Sequence, residues 1–91
     1  MDKEEKIKIL EHVIKRLEGG YCWGICTALN FVCLYTIQKS VTTFDEVAKM
    51  FPEITNNMPE GAEKNKFWWD PHDKKVRIEF LNKRIEELKQ Q

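Results

Sequence analysis

The sequence predicts an all-α fold of four helices packed around a buried central helix at about 22–37, with a long ordered loop over 52–69. Three observations predict it. The stretch Cys22 to Ile37, CWGICTALNFVCLYTI, carries no charged side chain, and its apolar residues leave only a narrow polar gap at Thr27 and Asn30. A helix that is apolar nearly all round is normally buried. On either side lie amphipathic stretches with helical spacing. Between them, Gly19-Gly20 and Pro52 supply helix stops.

The first helix is expected over 3–18, where Ile7, Leu10, Ile14 and Leu17 fall on one stripe with Val13 beside them. Gly19-Gly20 should end it, since glycine accepts the left-handed cap conformation at little cost. Tyr21 and Trp23 flank the start of the central helix, with Gly24 in its first turn. A glycine there costs about 1 kcal/mol against alanine, which points to close backbone approach. The central segment is about 24 Å long. A bilayer needs about 20 apolar residues, so the segment is short for a membrane span.

A polar link, Gln38 to Thr42, follows. Thr43-Phe44-Asp45-Glu46 has the form of a capping box. The short helix behind it should use Phe44, Val47, Ala48 and Phe51 as its apolar face, and Pro52 should stop it. Residues 52–69, PEITNNMPEGAEKNKFWW, read as irregular, because two prolines, a glycine and the asparagines oppose a regular element. Ile54, Met58 and Phe67-Trp68-Trp69 would anchor this loop to the core. Asp70-Pro71 then opens the last helix with an acidic cap and proline at its first position. Its stripe is Ile78, Leu81, Ile85 and Leu88. Val76 and Phe80 lie about 180° away from that stripe, so a second apolar face must be covered by the loop or by another chain. A homo-oligomer through the last helix, using Val76 and Phe80, is expected on that ground.

Composition narrows the function. The 91 residues, read as one helical domain over 1–91, hold 15 Lys+Arg against 15 Asp+Glu, for a net charge of zero. Sequence-independent nucleic-acid binding draws on surplus positive charge, and none is present overall. The opening MDKEEKIKIL has no apolar signal-peptide core, so a cytoplasmic location with no membrane partner is expected. Cys22, Cys26 and Cys33 share one stripe of the central helix, spanning about 40° of its circumference. They read as small, reduced core residues rather than metal ligands, because Cys33 lies roughly 10 Å along the axis from the others. No metal or cofactor is expected. Walker, dinucleotide and metalloprotease patterns are absent, and neither His12 nor His72 is tied by a motif to a nucleophile. The chain therefore reads as a binding protein and not an enzyme.

The candidate ligand-binding residues are aromatic and basic: Tyr21, Trp23, Trp68, Trp69, Arg77 and Arg84. Aromatic planes beside guanidinium groups stack nucleobases and pair with phosphates. The same residue types also make protein–protein hot spots, or simply pin a loop with arginines lying alongside. Arg77 is the residue expected to carry the charge neutralisation while contributing little to stability.

Tyr21-Cys22-Trp23-Gly24-Ile25-Cys26-Thr27-Ala28-Leu29, the later Phe51-Pro52-Glu53, Trp68-Trp69 and Arg77-Ile78-Glu79-Phe80-Leu81 together resemble a group of small uncharacterised proteins of tailed bacteriophages. The group has a Gly-x-Cys-x-Ala-Leu helix, a Pro-Glu loop and a Trp-Trp segment before an Arg-x-x-x-Leu helix. The resemblance covers most of the chain and brings no established activity with it. It implies a viral protein acting in the host cytoplasm, where small phage proteins often serve accessory roles. The reading that follows is an anti-defence sponge for a phosphate-bearing nucleotide signal. The alternatives are an inhibitor that binds a host protein and a small hydrolase acting on such a messenger.

Overall fold

The computed structural model describes residues 1–19, 24–58 and 74–91. All regular structure among them is helical: α1 (Lys3–Glu18), α2 (Ile25–Thr36), α3 (Phe44–Met50), α4 (Pro52–Thr55) and α5 (Lys74–Lys89).

Asp2 caps α1 by accepting from the Glu5 amide at 2.8 Å. Glu4 and Glu5 follow in the first turn, and Lys15 and Arg16 lie in the last. Both placements interact favourably with the helix macrodipole. The stripe foreseen for this helix is buried at Leu10, Val13, Ile14 and Leu17, and Ile9 joins it. Gly19 ends the helix without a left-handed turn: its φ is −72°, and its amide returns to the Lys15 carbonyl at 3.0 Å.

α2 is shorter than expected at its start, with Gly24 serving as its N-cap rather than lying in the first turn. Ile25, Ala28, Leu29, Val32 and Cys33 are buried, but Phe31, Leu34 and Tyr35 are exposed. The helix is therefore not enclosed on all sides. Lack of charge made it look central, yet an uncharged helix with Asn30, Tyr35 and Thr36 on it tolerates one wet face. The helix that packs against both long partners, α2 and α5, is α1. Asn30 also does more than mark a polar gap. Its Oδ1 accepts from the Val41 amide at 2.7 Å and the Ser40 hydroxyl at 3.4 Å, so it holds the 38–42 link against α2 and helps to bury Val41.

The capping box at α3 is present. The Glu46 amide donates to Thr43 Oγ1 at 3.2 Å, and Glu46 Oε1 accepts from the Thr43 amide at 3.0 Å. The Thr42 amide, the Thr43 hydroxyl, the Thr43 amide and the Thr42 hydroxyl all donate to this carboxylate, which holds it below the usual glutamate value. Pro52 ends α3 and at once begins α4, because its fixed φ suits the first position of a helix. The 52–69 stretch thus contains a helical turn that its prolines and asparagines seemed to forbid. Ile54 is the anchor it was expected to be, with 1% of its surface exposed, and Met58 packs at the core edge. Lys6 Nζ binds Glu53 Oε1 at 2.9 Å and ties α4 to α1.

In α5, Leu81, Ile85 and Leu88 are buried and Ile78 lies at the core edge. α5 packs on α1 and on α4, and Lys3 Nζ donates to the Gln91 carbonyl at 2.7 Å. The start of α1 therefore lies beside the end of α5, and the two run antiparallel. The second apolar face of α5 is not a free surface. Phe80 is only 8% exposed and belongs to the core, whereas Val76 remains 40% exposed. Of the pair expected to form an oligomer contact, only Val76 is therefore exposed, because the Phe80 ring is already packed within the chain. The start expected for this helix at Asp70-Pro71 lies outside the described residues.

After α2 the chain turns through Gln38, whose φ of 58° lies in the left-handed region. The turn lets the Lys39 amide approach the Cys33 carbonyl at 3.4 Å. A residue with a Cβ pays roughly 1–2 kcal/mol for that conformation, partly offset by the entropy glycine loses on folding. Gln38→Gly should raise stability by about 0.5–1 kcal/mol, measured by urea denaturation. A loss of stability would show that the Gln38 side chain contributes more than its backbone strain removes.

Candidate functional site

The aromatic and basic constellation read from the sequence divides in the structure. Tyr21, Trp23, Trp68 and Trp69 lie outside the described residues. Arg77 and Arg84 are both described, and both are buried, at 8% and 7% exposure. Arg84 Nη2 donates to Glu87 Oε1 at 2.8 Å, and its guanidinium lies 4.6 Å from the centre of the Phe80 ring. Its Nε is buried and has no hydrogen-bond partner among the described residues. The cavity beside Arg84 includes Asn57, Val76, Glu79, Phe80 and Lys83, so a carboxylate faces any anion there. The burial of Arg77 argues against the expectation that it could be removed at little cost to stability. A buried arginine stem contributes packing as well as charge.

A better-formed site lies on the seam between α1 and α2. The two helices pair antiparallel, so that one cavity meets Arg16 with Phe31 and the next meets Glu5 with Ile37. The first cavity, about 330 Å³, is lined by His12, Lys15, Arg16, Phe31, Val32, Tyr35 and Thr36. That volume is at the lower end of the range for small-ligand sites. No carboxylate of the described residues lines it. The Arg16 guanidinium sits 4.2 Å from the centre of the Phe31 ring, a cation–π contact that orders both side chains. Tyr35, one turn beyond Phe31, is 82% exposed and offers an open ring face. Thr36 turns its hydroxyl inward to the Val32 carbonyl at 2.7 Å. The cavity therefore has an apolar floor, aromatic groups on the α2 side and cations on the α1 side.

None of these residues was singled out from the sequence. His12 reads there as a solvated surface group, and Phe31 and Tyr35 read as parts of a buried helix. A signal was nonetheless present. Lys8, His12 and Lys15 recur at helical spacing on one side of the first stripe, as Phe31 and Tyr35 do on the central helix.

Cys22 lies outside the described residues. Cys26 is half-buried and Cys33 is buried, and neither is in a disulfide. Burial pushes the Cys33 thiol up to about 11. Among the described residues, no group of three or more His, Cys, Asp or Glu is placed to hold a metal ion, and no helix is long and apolar enough to cross a membrane. No family model, curated protein or solved structure matches the chain.

Because the Cys33 thiol titrates higher when folded than its ordinary value of 9.0, folding favours its protonated form. That preference is fully present below pH 9.0 and is lost as pH rises through about 11. Cys33 should thus resist thiol reagents in the native state and label only on unfolding. Mass-spectrometric mapping of the labelled position checks this. Labelling of Cys33 as fast as that of a free thiol would contradict its burial.

Proposed function

We propose that the protein is a non-catalytic binding protein that sequesters a phosphate-bearing nucleotide in the α1–α2 groove. One observation carries the reading: a cavity of about 330 Å³ unites Phe31 and Tyr35 with His12, Lys15 and Arg16, and no acidic side chain among the described residues lines it. A base stacked on an aromatic ring gains about 1–3 kcal/mol in single-strand systems. A phosphate reaches the cationic side, where Arg16 is already ordered over Phe31. The aromatic and basic chemistry is that expected of a nucleotide site, but it is borne by residues other than Arg77 and Arg84. The phage resemblance supplies the biological setting, a defence signal withdrawn in the host cytoplasm.

Sequestration is favoured over hydrolysis of the same ligand. Acid–base cleavage is best served by an acid and a base placed together at the reacting group, and the described lining offers one imidazole, His12, with no carboxylate beside it. A second reading, inhibition of a host protein, is favoured by the exposed apolar face Phe31, Leu34 and Tyr35.

A thermal-shift screen against linear and cyclic nucleotides tests the proposal. A ligand at 100 times its Kd should add about 2.7 kcal/mol of stability. Arg16→Ala and Tyr35→Ala should each reduce the shift, and the ligand should be recovered intact after denaturation. A cleaved ligand would identify a hydrolase. Absence of any shift would remove the nucleotide reading and leave the exposed α2 face as a protein-binding surface.

A further inference from the structure

We infer that the groove takes a dinucleotide, two nucleosides joined by a phosphodiester, rather than a single nucleotide. The inference rests on the nucleotide reading of the α1–α2 seam and extends it along the helices. Two cavities of similar size, about 330 and about 350 Å³, lie end to end there and share His12 and Thr36 as lining residues. Phe31, Tyr35, Lys15 and Arg16 belong to the first, and Lys8, Ile9, Ile37 and Glu5 to the second.

The charges are arranged for an elongated anion. Lys8, His12 and Lys15 follow one another at intervals of four and three residues and so share a face of α1. They span about 10 Å along its axis. The opposite wall, from α2, carries no charged side chain. The seam thus has a cationic edge and an uncharged edge, as a strand with phosphates on one side and bases on the other requires. A mononucleotide fills only the first cavity, with its base at Tyr35 and its phosphate toward Lys15 and Arg16. In a dinucleotide the linking phosphate passes His12 and Lys8, and the second base lies between Ile9 and Ile37.

Beyond the second cavity the seam continues past Glu5 to Lys6, Lys39 and Lys49. Glu5 borders both cavities and opposes a further phosphate at their junction. Lys6 is already paired with Glu53. These features favour a free dinucleotide over an internal stretch of a longer strand.

Titration calorimetry on the full chain with adenosine monophosphate, a 5′-phosphorylated diadenosine dinucleotide and an oligoadenylate of about twelve nucleotides tests the inference. The dinucleotide should bind about tenfold or more tightly than the mononucleotide, because the second cavity engages at high effective concentration. Lys8→Glu, an exposed substitution, should remove that advantage. The oligoadenylate, counted per site, should bind no more tightly than the dinucleotide. Equal affinity for mononucleotide and dinucleotide would overturn the two-cavity inference while leaving the single-nucleotide site intact. A large further gain for the oligoadenylate would identify a single strand as the ligand and overturn the free dinucleotide. Binding of none of the three would overturn both the inference and the reading on which it rests.

Discussion

The fold depends on the inner stripe of α1. Leu10, Val13 and Leu17 are completely buried, and the helix that carries them packs against α2 and against α5. Each buried aliphatic side chain of this size contributes about 1.5–3 kcal/mol, against a total stability of 5–15 kcal/mol typical of a domain. Removing this stripe would leave α2 and α5 without their shared partner. Lys6 extends the same dependence to α4 through its ion pair with Glu53.

The proposed ligand groove follows from that arrangement. Because the inner side of α1 is committed to the core, its charged residues are displaced to the flanks, and one flank borders α2. α2 has no charged side chain to neutralise them. A chain with equal numbers of acids and bases therefore acquires a groove in which cations prevail. Net charge conceals this, since α1 also carries Glu4, Glu5, Glu11 and Glu18, of which only Glu5 is among the described residues lining the two cavities.

Much of the helical plan was legible in the sequence for local reasons. The Thr43–Glu46 box, the Pro52 stop and the apolar stripes of α1 and α5 are written at fixed short spacings. Failures came where three-dimensional packing decides. Lack of charge over 22–37 reads as burial, although Phe31, Leu34 and Tyr35 are exposed. Phe80 lies off the main stripe and so reads as part of an outer face, but the fold buries that ring together with Arg77 and Arg84. Gln38 gave no warning of its left-handed turn, since nothing in a glutamine side chain demands one. The candidate site was legible only as a chemical type. The sequence pattern points to aromatic and basic groups near Trp68 and Arg77, whereas the cavity that joins such groups arises from the antiparallel register of α1 and α2. No spacing within either helix alone reveals that register.

The most direct measurement of the central claim is amide resonance mapping of the isotopically labelled protein titrated with the dinucleotide. The account predicts perturbations concentrated at Lys8, His12, Lys15 and Arg16 on α1 and at Phe31, Tyr35 and Thr36 on α2, with Arg77 and Arg84 unmoved. Perturbations centred on Arg77 and Arg84, with the α1–α2 seam silent, would contradict it.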